Sequence, residues 1–133
     1  SSSGFLKMDK AEDYVLIKGS YISDSSSNTK GYLSAGTMEV KGDMTVGTTY
    51  SRNSFLATGN HTVLLSGDSL QSINFGGAYA SESKLVNLEI ANTGEEGIAL
   101  VQTIYIAGRI NDNGIVFEKL KKMSPEIFVI LFA

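Results

Sequence analysis

Short alternations of apolar and polar residues recur down the chain. Val15-Leu-Ile17-Lys-Gly19-Ser20, Met38-Glu-Val40-Lys-Gly42-Asp43 and Val63-Leu-Leu65-Ser-Gly67-Asp68 share one form, and Leu88-Glu-Ile90-Ala-Asn92 is a degraded copy. Their central apolar residues stand at 17, 40, 65 and 90, which gives steps of 23, 25 and 25 residues. Successive side chains of a strand point to opposite faces, so Val15 with Ile17, Met38 with Val40 and Val63 with Leu65 each present one apolar face. Self-similarity at such a period is the mark of a stacked repeat. A second phrase precedes each core phrase: Gly4-Phe5-Leu6, Gly31-Tyr32-Leu33 and Ser54-Phe55-Leu56. Its distance to the core residue varies, as loops between packed strands allow. The pattern predicts strands at 5–8, 14–18, 31–34, 37–41, 44–46, 54–57, 62–65, 72–75, 85–90, 98–106 and 115–117. Asp24-Ser-Ser-Ser-Asn28, Gly47-Thr-Thr and Gly76-Gly77 read as turns.

Two all-β architectures accommodate short strands at regular spacing. A β-sandwich expects frequent turns but no constant offset between similar phrases. A parallel β-helix, or β-solenoid, requires that offset, because each coil sits on the previous one at about 4.8 Å. The spacing therefore favours a β-helix of about five coils, right-handed as parallel crossovers are, with the β-sandwich as the alternative. In the β-helix, Ile17, Val40, Leu65, Ile90 and Ile115 form one interior column, and Val15, Met38, Val63 and Leu88 form its neighbour. Gly19, Gly42 and Gly67 then share a corner. Residues 1–116 constitute the repeat domain and 117–133 a C-terminal capping segment.

The phrases Gly31-Tyr-Leu-Ser-Ala-Gly-Thr-Met-Glu-Val-Lys-Gly-Asp43 and Phe55-Leu-Ala-Thr-Gly-Asn-His-Thr-Val-Leu-Leu-Ser-Gly-Asp68, continued by Gln71-Ser-Ile-Asn-Phe75 and Leu85-Val-Asn-Leu-Glu-Ile90, resemble repeat segments of large bacterial surface proteins, chiefly of Gram-positive type. The resemblance spans roughly residues 4–110 and implies an extracellular β-helical segment. It implies no catalytic or binding residue, and the tail after Val116 departs from it.

Composition narrows the setting. Fourteen glycines and a single proline, Pro125, suit a turn-rich β chain, and the absence of cysteine removes disulfides and thiolate metal sites. A net charge of −3 argues against nucleic acid, which attracts a basic surface. No segment is long enough to span a bilayer as a helix. The chain begins at Ser1 with no leader-like stretch and is read as a mature or excised piece of a longer extracellular or cell-surface protein. At the other end, residues 117–123 have the pattern of a short amphipathic helix stopped before Pro125. The apolar run 127–132 is expected to pack as a last strand or cap, since an open solenoid end exposes backbone and core.

Candidate chemistry is sparse. His61, the one histidine, follows Thr58-Gly-Asn60 and is expected to be a solvated turn residue rather than a catalytic base. Asn60-His-Thr62 matches a glycosylation sequon by pattern alone. Asp43 and Asp68 fill the same slot in consecutive repeats, so stacking would place two carboxylates together. Such a pair is a weak Ca²⁺ candidate and a weak acid/base candidate for glycan cleavage. Against both stands a plain surface pairing with Lys18 and Lys41. The only arginines, Arg52 and Arg109, differ in repeat phase. Tryptophan is absent; Tyr50 and Tyr79, in loop-like surroundings, are the aromatic residues placed to meet a ligand, whereas Tyr32 shares the Phe5 and Phe55 slot and is expected near the core.

These features point first to a non-catalytic structural or adhesive module without cofactors. A carbohydrate-binding module using Tyr50 and Tyr79 is the alternative, and a polysaccharide lyase or hydrolase using Asp43 and Asp68 comes third. The expected partners are cell-surface polysaccharide, neighbouring domains of the same parent protein, or a second copy through the coil ends.

Overall fold

The computed structural model describes residues 5–113 and 129–131. They are all β, with no helix among them, and their parallel strands stack as a β-solenoid of about four turns. The elements are β1 (Tyr14–Ile17), β2 (Tyr21–Ser23), β3 (Thr37–Val40), β4 (Met44–Val46), β5 (Thr62–Leu65), β6 (Gln71–Asn74), β7 (Asn87–Ile90), β8 (Ile98–Leu100), β9 (Ile104–Ile106), β10 (Ile110–Asn111) and β11 (Val129–Leu131). One sheet runs β1-β3-β5-β7-β10, a second runs β2-β4-β6-β8, and β11 joins β9. Every pairing is parallel, which rules out the antiparallel sandwich.

The first sheet follows the repeat. Ile17 pairs with Val40, Val40 with Leu65 and Leu65 with Ile90, while Val15, Met38, Val63 and Leu88 form the adjacent column. Met38, Val40, Val63 and Leu65 have no exposed surface. Each such side chain contributes about 1.5–3 kcal/mol relative to exposure. The column ends differently from expectation. Ile110 pairs with Leu88, a step of 22, so residue 112 rather than 115 follows Ile90 at that register. Ile115, the expected strand 115–117, the boundary at 116 and the expected helix at 117–123 lie outside the described residues. Within the apolar tail, β11 adds to β9 through its backbone, with Ile130 opposite Tyr105.

The third wall is built from isolated bridges. Met8 bridges Leu33 and Leu85 bridges Ile106, while Thr58 N donates to Leu33 O and thereby sets Ala57 against Leu33. Met8, Leu33, Ala57, Leu85 and Ile106 are all buried. This register separates the expected aromatic slot. Leu33 meets Ala57 instead of Leu56, and a one-residue slip turns every side chain to the opposite face. Phe55 consequently points into the core, against Phe75 and Tyr21, whereas Tyr32 is half-exposed and stacks on exposed Phe5 at 4.5 Å. The expected strand at 98–106 is also broken, into β8 and β9, with Val101 exposed between them.

The corner between the two sheets explains the glycines. Gly42 N donates to Gly19 O, and a Cβ on Gly67 would run into Lys41 O. From the last inward residue of the first sheet to its inward counterpart in the second sheet, the corner spans 17 to 21, then 40 to 44, then 65 to 73. The longer third corner is closed by Gln71, whose side chain is buried. Its Oε1 accepts from Gly67 N and Asn92 Nδ2, and its Nε2 donates to Val40 O and Gly42 O. Asn92 Nδ2 also donates to Ser69 O, and its Oδ1 accepts from Gly94 N, so the polar plug continues into the next turn. A buried amide with its bonding groups satisfied in this way avoids the cost of orphaned polar atoms.

Candidate functional site

Longer connections leave the second sheet on one side, after β2, β4 and β6, and lie on one another. Thr49 N donates to Asp24 Oδ1, Thr29 N donates to Asn53 O, Thr48 Oγ1 donates to Gly76 O, and Ser83 N donates to Arg52 O. Gly76 adopts φ +62°, a left-handed turn open to glycine at little cost. This loop wall carries both tyrosines marked by the sequence, and both are well exposed: Tyr50 at 71% and Tyr79 at 65%.

Tyr79 is braced. The Arg52 guanidinium lies over its ring, 4.9 Å from the centroid. Arg52 Nε pairs with Glu82 Oε2 at 2.7 Å, and its Nη2 donates to Gly77 O at 3.0 Å. The same Glu82 oxygen accepts from Tyr79 N at 2.8 Å. The Tyr79 amide bond, followed by the Arg52 partner, holds the Glu82 carboxyl below its ordinary range. The ring is thus held from one face by a cation that is itself tethered on two sides. An exposed aromatic fixed in this way meets a flat apolar ligand surface with little rotamer entropy left to lose. Arg52 and Glu82 were not singled out by sequence pattern. They are far apart in the chain, and only loop stacking brings them together.

The two aspartates are not brought together as a ladder. Met44 pairs with Ile73, which sets Asp43 beside Ser72, and Asp43 Oδ1 accepts from Ser72 N at 2.9 Å. Asp43 N donates to Ser20 Oγ at 3.0 Å. Asp43 therefore caps the corner of the next turn. Asp68 lies on the widened third corner, exposed beside Ser69 and Leu70. The longer corner moves the register between the repeats and removes the equivalence that their sequences imply. Among the described residues, no three histidine or acidic side chains converge as a metal site would require.

His61 contradicts the expectation of a solvated turn. It is 0% exposed and meets Phe55 edge to face at 5.8 Å. Neither Nδ1 nor Nε2 has a hydrogen-bond partner among the described residues. Burial pushes its pKa down to about 4. The turn is real, with Gly59 at φ +61°, but it ends one residue earlier, and His61 already has the inward parity of Val63 and Leu65. A neutral imidazole locked in the core has no route to a substrate.

Among the described residues, no helix is long and apolar enough to cross a membrane. No family model, curated protein or solved structure matches the chain.

Proposed function

We propose that the chain is a structural or adhesive module of a bacterial cell-surface or secreted protein, acting without catalysis. The observation that supports this reading is the division of labour around the coil. Two in-register sheets and a hydrogen-bonded corner build a stiff stack, and the variable loops gather on one wall. Such a stack holds a surface at a distance and presents loops from it. The likeness of residues 4–110 to repeats of surface proteins supports the same setting. Antibody labelling of intact source cells, together with assays on a broad polysaccharide panel, tests both halves. Surface labelling and absence of turnover are expected. Cytoplasmic confinement overturns the setting, and turnover lost on Asp43→Asn or Asp68→Asn overturns the non-catalytic role.

A second reading has its own support in the braced Tyr79. A rigid, exposed ring is the stacking platform that a sugar face needs, and Arg52, already neutralised by Glu82, favours uncharged over anionic glycans. Binding on a glycan array that drops about tenfold or more with Tyr79→Ala, at an unchanged melting temperature, is the expected result. A Tyr50→Ala, Tyr79→Ala double variant that binds as well as the parent would sink the carbohydrate reading.

A further inference from the structure

The corner that returns each coil from the third wall to the first sheet also changes length. It takes four residues, 58–61, between Ala57 and Thr62, but only Val86 between Leu85 and Asn87. The following turn uses two, Ala107 and Gly108, between Ile106 and Arg109. The short corner recedes between its longer neighbours and leaves a notch of about 620 Å³. That volume falls in the usual range of ligand sites. Thr58 and Asn60 stand on one rim, Arg109 on the other, and Lys84 and Asn87 between them.

The lining holds two cations, Lys84 and Arg109, and no acid, in a chain whose net charge is −3. Lys84 is half-buried, and its Nζ donates to Ala80 O at 3.3 Å. Arg109 is exposed. Neither forms an ion pair with a described residue. Glu89 lines an adjoining hollow that shares Asn87 and Arg109, yet stands beyond ion-pair distance of that arginine. Partial burial takes water from Lys84 without supplying a carboxylate, and an arriving anion would offset that cost.

We propose that this notch binds an oxyanion on a polyhydroxylated chain, a carboxylate or phosphate carried by a cell-surface polysaccharide. Arg109 offers a planar fork that meets two oxyanion oxygens at once, and Lys84 adds a point charge beside it. Thr58, Asn60 and Asn87 supply neutral donors and acceptors for hydroxyls next to the anion. The uncompensated cations set the notch apart from the Tyr79 platform, where Glu82 already neutralises Arg52. The site gives the adhesive role proposed above a ligand class and rests on that role, whereas a stack that only spaces domains needs no such site.

Titration calorimetry of the 133-residue protein at low salt tests the notch with three probes: a galacturonate oligomer, a glycerol phosphate oligomer and a neutral dextran oligomer. Binding of at least one anionic oligomer and none of dextran is expected, weakening as salt screens the charges. Which anion binds identifies the source. Lys84→Gln combined with Arg109→Gln should weaken binding at least about tenfold at an unchanged melting temperature. Lys18→Gln combined with Lys30→Gln removes the same charge from exposed positions elsewhere and should leave binding intact. Amide shifts on the unaltered protein give a check that needs no variant, and should concentrate at 58–60, 84–87 and 107–109. Binding of neither anionic oligomer, equal binding of dextran, equal loss in both double variants, or shifts centred on Tyr79 would each overturn the site. Surface labelling of cells without binding at the notch would remove this site and leave the spacer role standing.

Discussion

The two sheets of the solenoid obey different rules. The first advances by 23, 25, 25 and 22 residues per turn, and the second by 23, 29 and 27. Both carry buried columns, yet the first keeps a near-constant pitch and the second absorbs whatever the corners and loops insert. The difference shows that stacking regularity need not extend around a whole coil. One wall keeps the period while the corners adjust, provided that a group such as Gln71 fills the space a longer corner opens.

The strongest way to break the constant-pitch wall is to remove a column residue. Leu65→Ala should cost about 3–5 kcal/mol, read as a fall in the urea midpoint, because the neighbours above and below are held by their own ladders and cannot close the cavity. A loss below about 1 kcal/mol would mean that the wall relaxes more freely than its register implies.

Acid attacks the same wall at the start of β5. The folded state holds His61 neutral with a pKa of about 4, against about 6.5 when unfolded, so the unfolded chain binds the extra proton between those values. Stability from this residue is complete above about pH 6.5 and falls by about 3 kcal/mol as the pH drops to 4. Unfolding titrations of the parent and His61→Phe should diverge across this window, the variant lacking that slope. Parallel curves would show that protonation of His61 is not what weakens the fold there.

The variable-pitch wall should be most sensitive at its plug. Gln71→Ala leaves Gly67 N, Gly42 O and Asn92 Nδ2 short of a buried partner, at a cost of about 2–3 kcal/mol. Hydrogen exchange should rise at 66–72 and 92–94 and stay low in β3 and β5. Uniform acceleration would show the two walls to be one cooperative unit. At the small end, Leu64→Thr, on the outward face of β5, should change the melt by less than about 0.5 kcal/mol.

The same contrast explains what was legible in the sequence. The columns headed by Val15 and Ile17 were readable because alternation and pitch both persist from β1 to β7. Residues Gly67-Asp68 repeat the words of Gly42-Asp43, but the corner lengthens just after them, so similar letters ended in different places. Parity held the signal for His61: it shares the phase of Val63 and Leu65, and a polar residue in that phase after a turn reads as solvent-facing only if parity is ignored. Phe55 and Tyr32 differ for a related reason, since their matching aromatic letters conceal a one-residue slip that only the bridges reveal. The brace on Tyr79 had no local signature at all. Arg52 and Glu82 meet across stacked loops whose lengths no periodicity fixes.

The amide plug of Gln71 and Asn92 makes the third corner an expansion joint. The extra residues that this corner already carries between Gly67 and Gln71 are bridged by its polar bonds, and the apolar columns on either side keep their places. One turn of the coil is thereby longer than its neighbours without any change in the columns that run past it.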